Sequence, residues 1–507
     1  MNQFQRFSWQ QPDIRLYAVA ASLLISVLTY LTRTTPNDDA FIYIRTAEIF
    51  LDDGLAAAFT HYQWAAYPVL IGSISRVVGI DLFSAAYLLN GLFYGVLVYA
   101  YLSIMAQIDS SRRVMLLAAV TLLVYPQFNE FRQEVIRDSG FWAFSLLALW
   151  QLILFGNNRS FRHIMYFVIA MLAATAMRIE ALVYLLTVPV IFYFDERMKS
   201  SERRRFVATY LGLALTFMLV LYLILLGLGL NLAQLIFGFV SIYGVFVRDF
   251  LFPDADRAAE VAVTLFNDHA ANYSSEYIAL FMLTGLIAIL LANLFNGIGG
   301  PYLIVLGIGV VKRFVSLPRH VALPMIGFMS VNLVILFVFV LITRYLTSRY
   351  TMLFCILLSM LVPLVLDRVL VWATEVKREV LVFRLVVFFL FYCAIDAYIS
   401  FGENKSWVYD ASDWIVANSD EDTLLVTNNI TIAYQTGKVA EYELTTRNLS
   451  PEQIIGAVPS SVIAVELNYF MEQLLAEQSI SQRLERVMAF PSLTEPGLVV
   501  YRRNTLP

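Results

Sequence analysis

The sequence predicts an all-α polytopic membrane domain of about eleven transmembrane helices, followed by a C-terminal soluble α/β domain. Of its 507 residues, 59% are hydrophobic and only 15% are charged, whereas an ordinary soluble domain is about half apolar and about a quarter charged. The apolar residues form blocks of roughly 20 residues, the length that an α-helix needs to cross ~30 Å of hydrocarbon. Charges and turn-forming residues return in 401–507. We therefore expect a membrane domain over 1–400 and a soluble domain over 401–507.

Each long apolar block predicts one transmembrane span. The blocks lie near Leu16–Thr32, Leu82–Gln107, Val114–Phe128, Gly140–Phe155, Ile164–Ala176, Ala181–Phe194, Phe206–Leu230, Tyr277–Val311, Val321–Thr343, Met352–Leu366 and Val380–Ile399. Block Tyr277–Val311 is too long for one straight helix and is interrupted at Asn296–Pro301, so two short spans or one broken helix both fit it. Because Lys and Arg in short loops favour the cytoplasm, the basic loops alternate correctly only if this block crosses once. The N-terminus is then cytoplasmic and the C-terminal domain lies outside.

Three outward segments are too long to be simple connectors, namely 33–81, 231–276 and the C-terminal domain. In the first, apolar residues between Phe41 and Leu51 recur at helical spacing, which predicts an amphipathic helix on the bilayer surface. In the C-terminal domain, β-rich runs alternate with helical patterns, as is typical of a small α/β domain. The β-rich runs are Thr423–Thr427, Val439–Leu444, Val462–Leu467 and Leu498–Tyr501, and the helical patterns are Val408–Asn418, Pro451–Val458 and Phe470–Phe490.

Several other kinds of site are not predicted. No glycine-rich phosphate loop opens a helix of the C-terminal domain, so we do not expect it to bind a nucleotide. The two cysteines, Cys355 and Cys393, lie in apolar blocks, and they have neither a disulfide framework nor a metal-binding spacing. No Lys/Arg-rich face suits nucleic acid, and we expect no nucleic-acid partner.

An acidic pair, Asp38 and Asp39, follows the first span directly. Two adjacent carboxylates raise each other's cost of ionisation, so they favour a metal, another cation or a shared proton. One carboxylate of the pair can deprotonate an acceptor hydroxyl while its neighbour holds a metal or orients the acceptor. A polar helix cap is the plainer interpretation of the pair taken alone.

The stretch from Asp38 to Arg45, followed by Ala47, Glu48 and Gly54, resembles the first outer loop of GT-C glycosyltransferases. These multi-spanning enzymes take sugars from polyprenyl-phosphate donors. The first loop is most similar to that of bacterial arabinofuranosyltransferases, with a wider likeness to protein mannosyltransferases and lipid A aminoarabinose transferases. The resemblance implies that one Asp is the catalytic base, and we favour Asp38 over Asp39. The glycine-rich tract of the family is only partly present, which leaves the sugar and the acceptor open.

The segment that stands in place of that tract is aromatic. His61, Tyr62 and Trp64 can stack on a sugar ring, although anchoring at the membrane interface explains aromatic residues there about equally well.

A second outward cluster precedes Gly140 and carries five charges, including Glu134, Arg137 and Asp138. On a helix, Glu134 and Asp138 would share a face. The resemblance implies that one of these two adds an acidic group to the site, and an internally neutralised salt-bridge cluster is the alternative. Arg178 and Glu180 lie at the outer end of the fifth span, where Arg178 can pair with Glu134 or Asp138, or contact a phosphate.

A third cluster, Arg344–Tyr345 and Arg349, lies at the outer end of the ninth span. Arginine presents a planar fork of donors that suits phosphate oxygens. A phosphate leaving group needs such a partner because its negative charge grows as the glycosidic bond breaks. We expect Arg349 to bind the donor phosphate, with Arg344 second and Tyr345 beside them. Interfacial snorkelling is the plain alternative.

Taken with these features, the resemblance implies an inverting membrane glycosyltransferase of the bacterial inner membrane. Its partners would be a polyprenyl-phosphate lipid, a glycan, lipid or protein acceptor, and membrane lipid. No cofactor is certain, and a divalent metal on Asp38 and Asp39 stays open. The alternatives are a flippase or transporter for a lipid-linked glycan, an O-antigen-type polymerase or ligase, and a membrane scaffold that binds a partner through its C-terminal domain.

Overall fold

The structure is a computed structural model, which describes residues 13–32, 35–227, 277–399, 405–459 and 461–504, with single residues at 229, 237, 244, 263 and 264. The outward loop expected at 231–276 therefore lies almost wholly outside the described residues. The chain divides into two compact units, each considered by itself below. The membrane unit comprises Met1–Leu28, Ile49–Arg132 and Ile136–Ser400. The C-terminal unit comprises Thr29–Glu48, Gln133–Val135 and Phe401–Pro507.

The described chain before residue 400 is helical. Its α-helices are α1 (Ile14–Thr32), α2 (Asp38–Asp53), α3 (Leu55–His61), α4 (Ala66–Val78), α5 (Leu82–Ile108), α6 (Arg112–Leu123), α7 (Pro126–Glu130), α8 (Asp138–Asn158), α9 (Phe161–Met177), α10 (Ala181–Thr187), α11 (Ser200–Gly227), α12 (Ile278–Ile298), α13 (Gly300–Lys312), α14 (Arg319–Thr343), α15 (Ser348–Ser359), α16 (Leu361–Glu375) and α17 (Glu379–Tyr398). Two 3₁₀ segments, Phe131–Gln133 and Val188–Phe194, follow α7 and α10.

Eight helical segments of the described chain are long and apolar enough to cross a membrane. A ninth is formed if α6 and the segment Pro126–Gln133, which bend by 52°, act as one span. The other two of the eleven predicted spans fall on α9 and on Ala181–Phe194, which are apolar but shorter. The predicted fold class, a polytopic α-helical membrane protein with a small C-terminal α/β domain, is confirmed.

Helix breaks occur where the sequence removes a backbone donor or permits a left-handed turn. Pro126 is the first residue of α7, and proline cannot donate the hydrogen bond that would continue α6. Gly299 separates α12 from α13 with φ of 78°. With 21 residues, α12 alone meets the span length, whereas α13 has 13 and falls short of it.

The helices of the membrane unit differ in how much of their surface is buried. The most apolar windows of α5 and α8 are each 78% buried, whereas those of α1 and α11 are each 11% buried. Helix α8 packs against α5 and α9, and Trp142 on α8 is among the largest fully buried side chains. Exposed apolar surface of this kind suits contact with lipid chains, and α5 and α8 form the packed centre.

The C-terminal domain is a four-stranded sheet with helices on both faces. Its strands are β1 (Leu425–Thr427), β2 (Val462–Glu466), β3 (Leu484–Pro491) and β4 (Pro496–Arg503), in the order β1-β2-β4-β3. Strands β1 and β2 are parallel, and β4 pairs antiparallel with β2 and β3. Its described helices are α18 (Trp407–Ala417), α19 (Ile430–Thr436), α20 (Pro451–Ile455), α21 (Tyr469–Ala476) and α22 (Gln478–Ser481).

Successive residues of β2 supply two separate cores. Val462 and Ala464 pack with Trp407 of α18 on one face, whereas Ile463 packs with Met471 of α21 on the other. A strand that is buried on both faces reads as a continuous apolar run, as Val462–Val465 does.

Two predicted elements of this domain are wrong. Val439–Leu444 was expected as a strand, but its end is a 3₁₀ segment, Tyr442–Leu444. The helix expected over Phe470–Phe490 ends at Ala476, a short helix follows over Gln478–Ser481, and Leu484–Phe490 belongs to β3. Pairing with β4 outweighs the helical propensity of that segment, because strand formation depends on cross-strand packing more than on local preference.

Candidate active site

The acidic pair forms the first turn of α2, within the C-terminal unit. Asp38 and Asp39 are the first two residues of the helix, where the helix dipole stabilises negative charge. Asn37, just before them, binds the backbone of Val135, accepting from its N–H at 2.8 Å and donating to its carbonyl at 3.2 Å. The pair thus begins a helix, as its plainer interpretation predicts. The contact between Asn37 and Val135 holds this first turn in place.

An aromatic cluster packs α2 against the C-terminal domain. Phe41 is fully buried, with its ring centroid 5.6 Å from that of Tyr434 and 6.4 Å from that of Tyr442. Burial of such a side chain contributes ~1.5–3 kcal/mol. The Tyr442 hydroxyl also donates to Glu48 at 3.1 Å. Burial and the adjacent Glu48 carboxylate raise the pKa of Tyr442, so the phenol stays protonated as a donor.

The acidic pair opens into a polar cavity of about 520 Å³, a size within the usual range of ligand pockets. Most of its lining comes from the C-terminal domain. The lining residues are Thr35, Pro36, Asp38, Asp39, Ile42, Lys405, Val408, Asn428, Asn429, Ile430, Thr431, Glu443, Thr445, Arg447, Glu466, Leu467 and Asn468. We call this cavity the acidic cleft.

The sheet explains why these polar side chains gather there. Asn428 and Asn429 directly follow β1, and Glu466 and Asn468 lie at the end of the parallel strand β2. Ligands of α/β sheets bind at the carboxyl ends of parallel strands. Sequence reasoning missed these residues, although polar residues directly after two predicted strands were a usable signal.

Hydrogen bonds hold the amide side chains of the acidic cleft in fixed orientations. Asn428 accepts from the N–H of Glu466 at 2.7 Å and donates to its carbonyl at 2.9 Å. Asn429 caps α19 through its oxygen and donates to the Glu466 carboxylate at 2.7 Å. Lys405 donates to the other oxygen of that carboxylate at 2.6 Å. Arg447 reaches Asp38 from the opposite side, at 3.1 Å.

The segment of the second cluster divides between the two units. Glu134 lies in the C-terminal unit, in the same stretch as Val135, whereas Asp138 lies in the membrane unit. The shared helical face expected for Glu134 and Asp138 does not form, because the 3₁₀ segment ends at Gln133 and α8 begins at Asp138. Residues 134–137 between these two segments are not helical.

In the membrane unit, Arg178 is buried between two carboxylates. It donates to Asp138 and, at 2.8 Å, to Glu180, and its side chain is only 8% exposed. The sequence left Glu134, Asp138 or a phosphate open as the partner of Arg178. In the structure, Arg178 contacts Asp138. Burial by itself would raise the pKa of Glu180, but the charge and hydrogen bond of Arg178, helped by Arg137, lower it to about 2. Glu180 is therefore ionised at neutral pH.

Tyr350 connects this buried group to the third cluster. The Arg178 guanidinium lies 4.4 Å from the Tyr350 ring centroid, and the Arg349 guanidinium lies 5.3 Å from the same centroid. Arg344 ends α14 in a left-handed conformation, with φ of 61°. Arg344 and Tyr345 are exposed, whereas Arg349 is half-buried. Aromatic faces stabilise nearby cations, so Tyr350 supports two arginines predicted from separate segments.

The aromatic residues between α3 and α4 join the same group. The Arg137 guanidinium lies 4.6 Å from the Trp64 ring centroid, and Tyr62 and Trp64 meet edge to face at 5.4 Å. His61 is the exposed last residue of α3. Trp64, Arg137, Glu180 and Arg178 thus form one connected cluster within the membrane unit.

No metal ligand set is found around the acidic pair. In the part of the chain that the structure describes, no three His, Cys, Asp or Glu residues are placed to hold a metal ion. We therefore derive no step through a metal.

An apolar groove of about 970 Å³ also lies in the membrane unit, between α6, α16 and α17. Arg112, Arg113 and Arg384 line it together with Leu116, Phe383 and other apolar side chains. The predicted topology puts Arg112 and Arg113 on the cytoplasmic side, opposite the three outward clusters, so we do not assign this groove to the donor.

Comparisons with known proteins give matches among solved structures. No protein-family model matches the chain, and no curated protein matches it in sequence. ArnT from Cupriavidus metallidurans in the apo state has a TM-score of 0.49 and 12% identity, over 96% of this chain and 97% of that one. The archaeal oligosaccharyltransferase AglB from Archaeoglobus fulgidus, in complex with an inhibitory peptide and a dolichol-phosphate, has a TM-score of 0.49 and 13% identity, over 99% and 75%.

A second structure of ArnT, bound to undecaprenyl phosphate, has a TM-score of 0.40 and 12% identity, over 96% and 97%. At TM-scores below 0.5 these likenesses carry no argument about chemistry, and the proposal below rests on the residues of this chain. ArnT and AglB both belong to the GT-C superfamily of membrane enzymes.

Proposed function

We propose that this multi-pass membrane protein is an inverting glycosyltransferase, which moves a sugar from a polyprenyl-phosphate donor to an acceptor hydroxyl at the outer face of a bacterial inner membrane. One observation carries the proposal: the acidic pair Asp38 and Asp39 opens into a polar cavity of about 520 Å³. A carboxylate in such a cavity can accept a proton from a bound hydroxyl.

In the proposed reaction, an acceptor hydroxyl gives its proton to Asp38, or to Asp39. The hydroxyl oxygen bonds to the anomeric carbon as the bond from that carbon to the phosphate oxygen breaks. The bonding electrons leave with the polyprenyl phosphate, whose negative charge increases. Because the attack comes from the face opposite the leaving group, the configuration at the anomeric carbon inverts.

The leaving group requires positive charge, which the third cluster supplies. Arg349 would bind the phosphate first, with Arg344 and Tyr345 beside it. Tyr350 lies against both Arg349 and Arg178, and Arg178 is itself fixed by Asp138 and Glu180. A donor group held in place before the reaction needs little reorganisation as charge develops.

Arg178 is better suited to hold the neighbouring side chains in place than to bind a phosphate. Its guanidinium is already engaged by two carboxylates, so a phosphate would meet their negative charge. Arg137 and Trp64 extend the same supporting cluster, and we assign His61 and Tyr62 as candidate contacts to the donor sugar. Glu134 lies in the C-terminal unit with the acidic pair. Of the two carboxylates of the second cluster that the resemblance points to, it is the one that we retain as a candidate contact to the acceptor.

The test is transfer from a panel of synthetic polyprenyl-phosphate sugars by the full-length protein in proteoliposomes. Released polyprenyl phosphate and glycosylated product are measured together, and movement of a labelled lipid-linked glycan across the bilayer is measured in parallel. Sugar release or transfer from at least one donor is the expected result, and that donor identifies the sugar. Bilayer crossing of the glycan without cleavage of any donor would contradict the proposal and indicate a flippase. A requirement for a lipid-linked oligosaccharide would indicate a polymerase or ligase.

A further inference from the structure

Glu443, which lines the acidic cleft, has a buried carboxylate oxygen. Its side chain is 5% exposed, and it lines the cleft together with Asp38 and Asp39. One oxygen, Oε1, lies 3.8 Å from Nε of Arg45. The other, Oε2, is buried and has no hydrogen-bond partner within the described chain.

A buried carboxylate oxygen without a donor is costly, because burial removes the water that would otherwise solvate it. Native proteins rarely leave such a group unmatched, and an exception often marks a functional role. Since Glu443 faces a cavity, a ligand hydroxyl or ammonium group in that cavity can supply the missing donor.

The other lining groups indicate what kind of ligand this is. The amides of Asn428, Asn429 and Asn468 and the hydroxyls of Thr431 and Thr445 line the same cavity. Fixed amide and carboxylate groups around a polar cavity suit a molecule with several hydroxyls. A lipid chain would offer these groups no hydrogen-bond partner.

The charges of the acidic cleft disfavour an anionic ligand. Its lining includes the carboxylates of Asp38, Asp39, Glu443 and Glu466, but only two cationic side chains, Lys405 and Arg447. Each cation is already paired with a carboxylate, Lys405 with Glu466 at 2.6 Å and Arg447 with Asp38 at 3.1 Å. A phosphate in the cavity would therefore meet an excess of negative charge.

We propose that Glu443 is an acceptor-binding residue and that the acceptor is a neutral carbohydrate, bound by hydroxyl donation to the Glu443 carboxylate. This inference rests on the proposed function, since it identifies the acceptor whose hydroxyl Asp38 or Asp39 would deprotonate. It excludes phosphorylated sugars and phosphorylated lipid headgroups as acceptors in this cleft.

The test measures binding and needs no donor. Full-length protein in nanodiscs is titrated with neutral methyl glycosides of several hexoses and pentoses, and with the phosphate esters of the same sugars, using ligand-observed saturation-transfer NMR. At least one neutral glycoside should bind, and its phosphate ester should bind more weakly. Glu443→Gln should weaken binding of the neutral glycoside by about tenfold to hundredfold, as loss of a hydrogen bond to a charged group predicts.

Arg45→Gln is the matched control, because it also breaks the Arg45–Glu443 ion pair but leaves the Glu443 carboxylate in place. It should keep the glycoside affinity of the unchanged protein. Equal loss of affinity in Arg45→Gln and Glu443→Gln would show that the ion pair acts structurally, and it would overturn the inference. Phosphate esters that bind as tightly as neutral glycosides, or neutral glycosides that do not bind at all, would also overturn it. Glycoside binding that depends on Glu443, without cleavage of any donor, would retain the carbohydrate site but contradict the proposed transferase and with it the acceptor role of that site.

Discussion

Arg447 donates two hydrogen bonds to one carboxylate oxygen of Asp38, from Nη2 at 3.1 Å and from Nε at 3.3 Å. The pair joins the first turn of α2 to a loop of the C-terminal domain, within one compact unit. Both side chains are well exposed, Arg447 at 87% and Asp38 at 58%. Exposed ion pairs contribute only ~0–1 kcal/mol, so an acceptor hydroxyl can displace Arg447 from the carboxylate at little cost.

We therefore expect Arg447→Gln to change the free energy of unfolding by less than about 1 kcal/mol. Transfer activity should stay within roughly fivefold of the unchanged protein, because the Asp38 carboxylate remains in place. Thermal unfolding in detergent and initial transfer rates check both statements. Loss of transfer as complete as that caused by removing the Asp38 carboxylate would show that Arg447 takes part in the chemistry.

Removal of Arg178 should destabilise the membrane unit strongly. Arg178→Met leaves Asp138 and Glu180 without the cation that pairs with them, and breaking a buried ion pair in this way costs ~3–5 kcal/mol. Thermal unfolding followed by tryptophan fluorescence measures the effect. Arg319→Met is the control, since it breaks the ion pair with Glu196, in which the side chains are 75% and 74% exposed. Equal effects of the two substitutions would contradict the assignment of Arg178 as a buried support.

Acid stability should depend on Glu180. Its pKa in the folded protein is about 2, below the ordinary value of 4.5, so the ionised carboxylate stabilises the fold above about pH 4.5. That contribution is lost as the pH falls from about 4.5 towards about 2. It amounts to at most ~3 kcal/mol, because the side chain is 23% exposed and solvent screens its charge. Glu180→Gln should lower stability at neutral pH and flatten the loss between these pH values. An acid-unfolding curve with unchanged steepness would count against the Arg178–Glu180 pair, and the exposed Glu196→Gln should leave the curve as it was.

Replacing Arg349 should lower kcat/KM for the donor more than it affects the acceptor. Arg349→Ala removes the proposed charged hydrogen bond to the phosphate, so kcat/KM for the donor should fall about tenfold to hundredfold. Arg344→Ala should have a smaller effect, because that side chain is exposed and ranks second in the proposal. Arg368→Ala is the control, because Arg368 is an exposed arginine of α16 with no role in the proposed site. A larger loss from Arg344→Ala than from Arg349→Ala would reverse the assignment.

Much of the membrane architecture could be predicted because span length is a local property of the sequence. Every predicted span falls on helical segments, and the interruption expected at Asn296–Pro301 is centred on Gly299, whose positive φ ends α12. Shorter secondary-structure elements were less predictable. The end of Val439–Leu444 has strand-forming residues, yet Tyr442 packs on Phe41 and binds Glu48, contacts that no local pattern reveals.

The candidate site could be predicted only in part, for the same reason. Asp38 and Asp39 were found from their position after the first span. Glu443 and Arg447 were missed, because their relation to Asp38 depends on contacts between residues about 400 positions apart. The division of Glu134 from Asp138 was also missed, since a four-residue spacing predicts a shared face only if the segment is helical.

The most direct test of the central claim compares three substitutions on α2 in the donor-transfer assay. Asp38→Asn should reduce the transfer rate at least about 100-fold, the contribution typical of a general base, and Asp39→Asn should reduce it less. Asp52→Asn, an exposed carboxylate near the other end of the same helix, should leave the rate unchanged. Full transfer activity in both Asp38→Asn and Asp39→Asn would contradict the account, because no proposed base would then be needed.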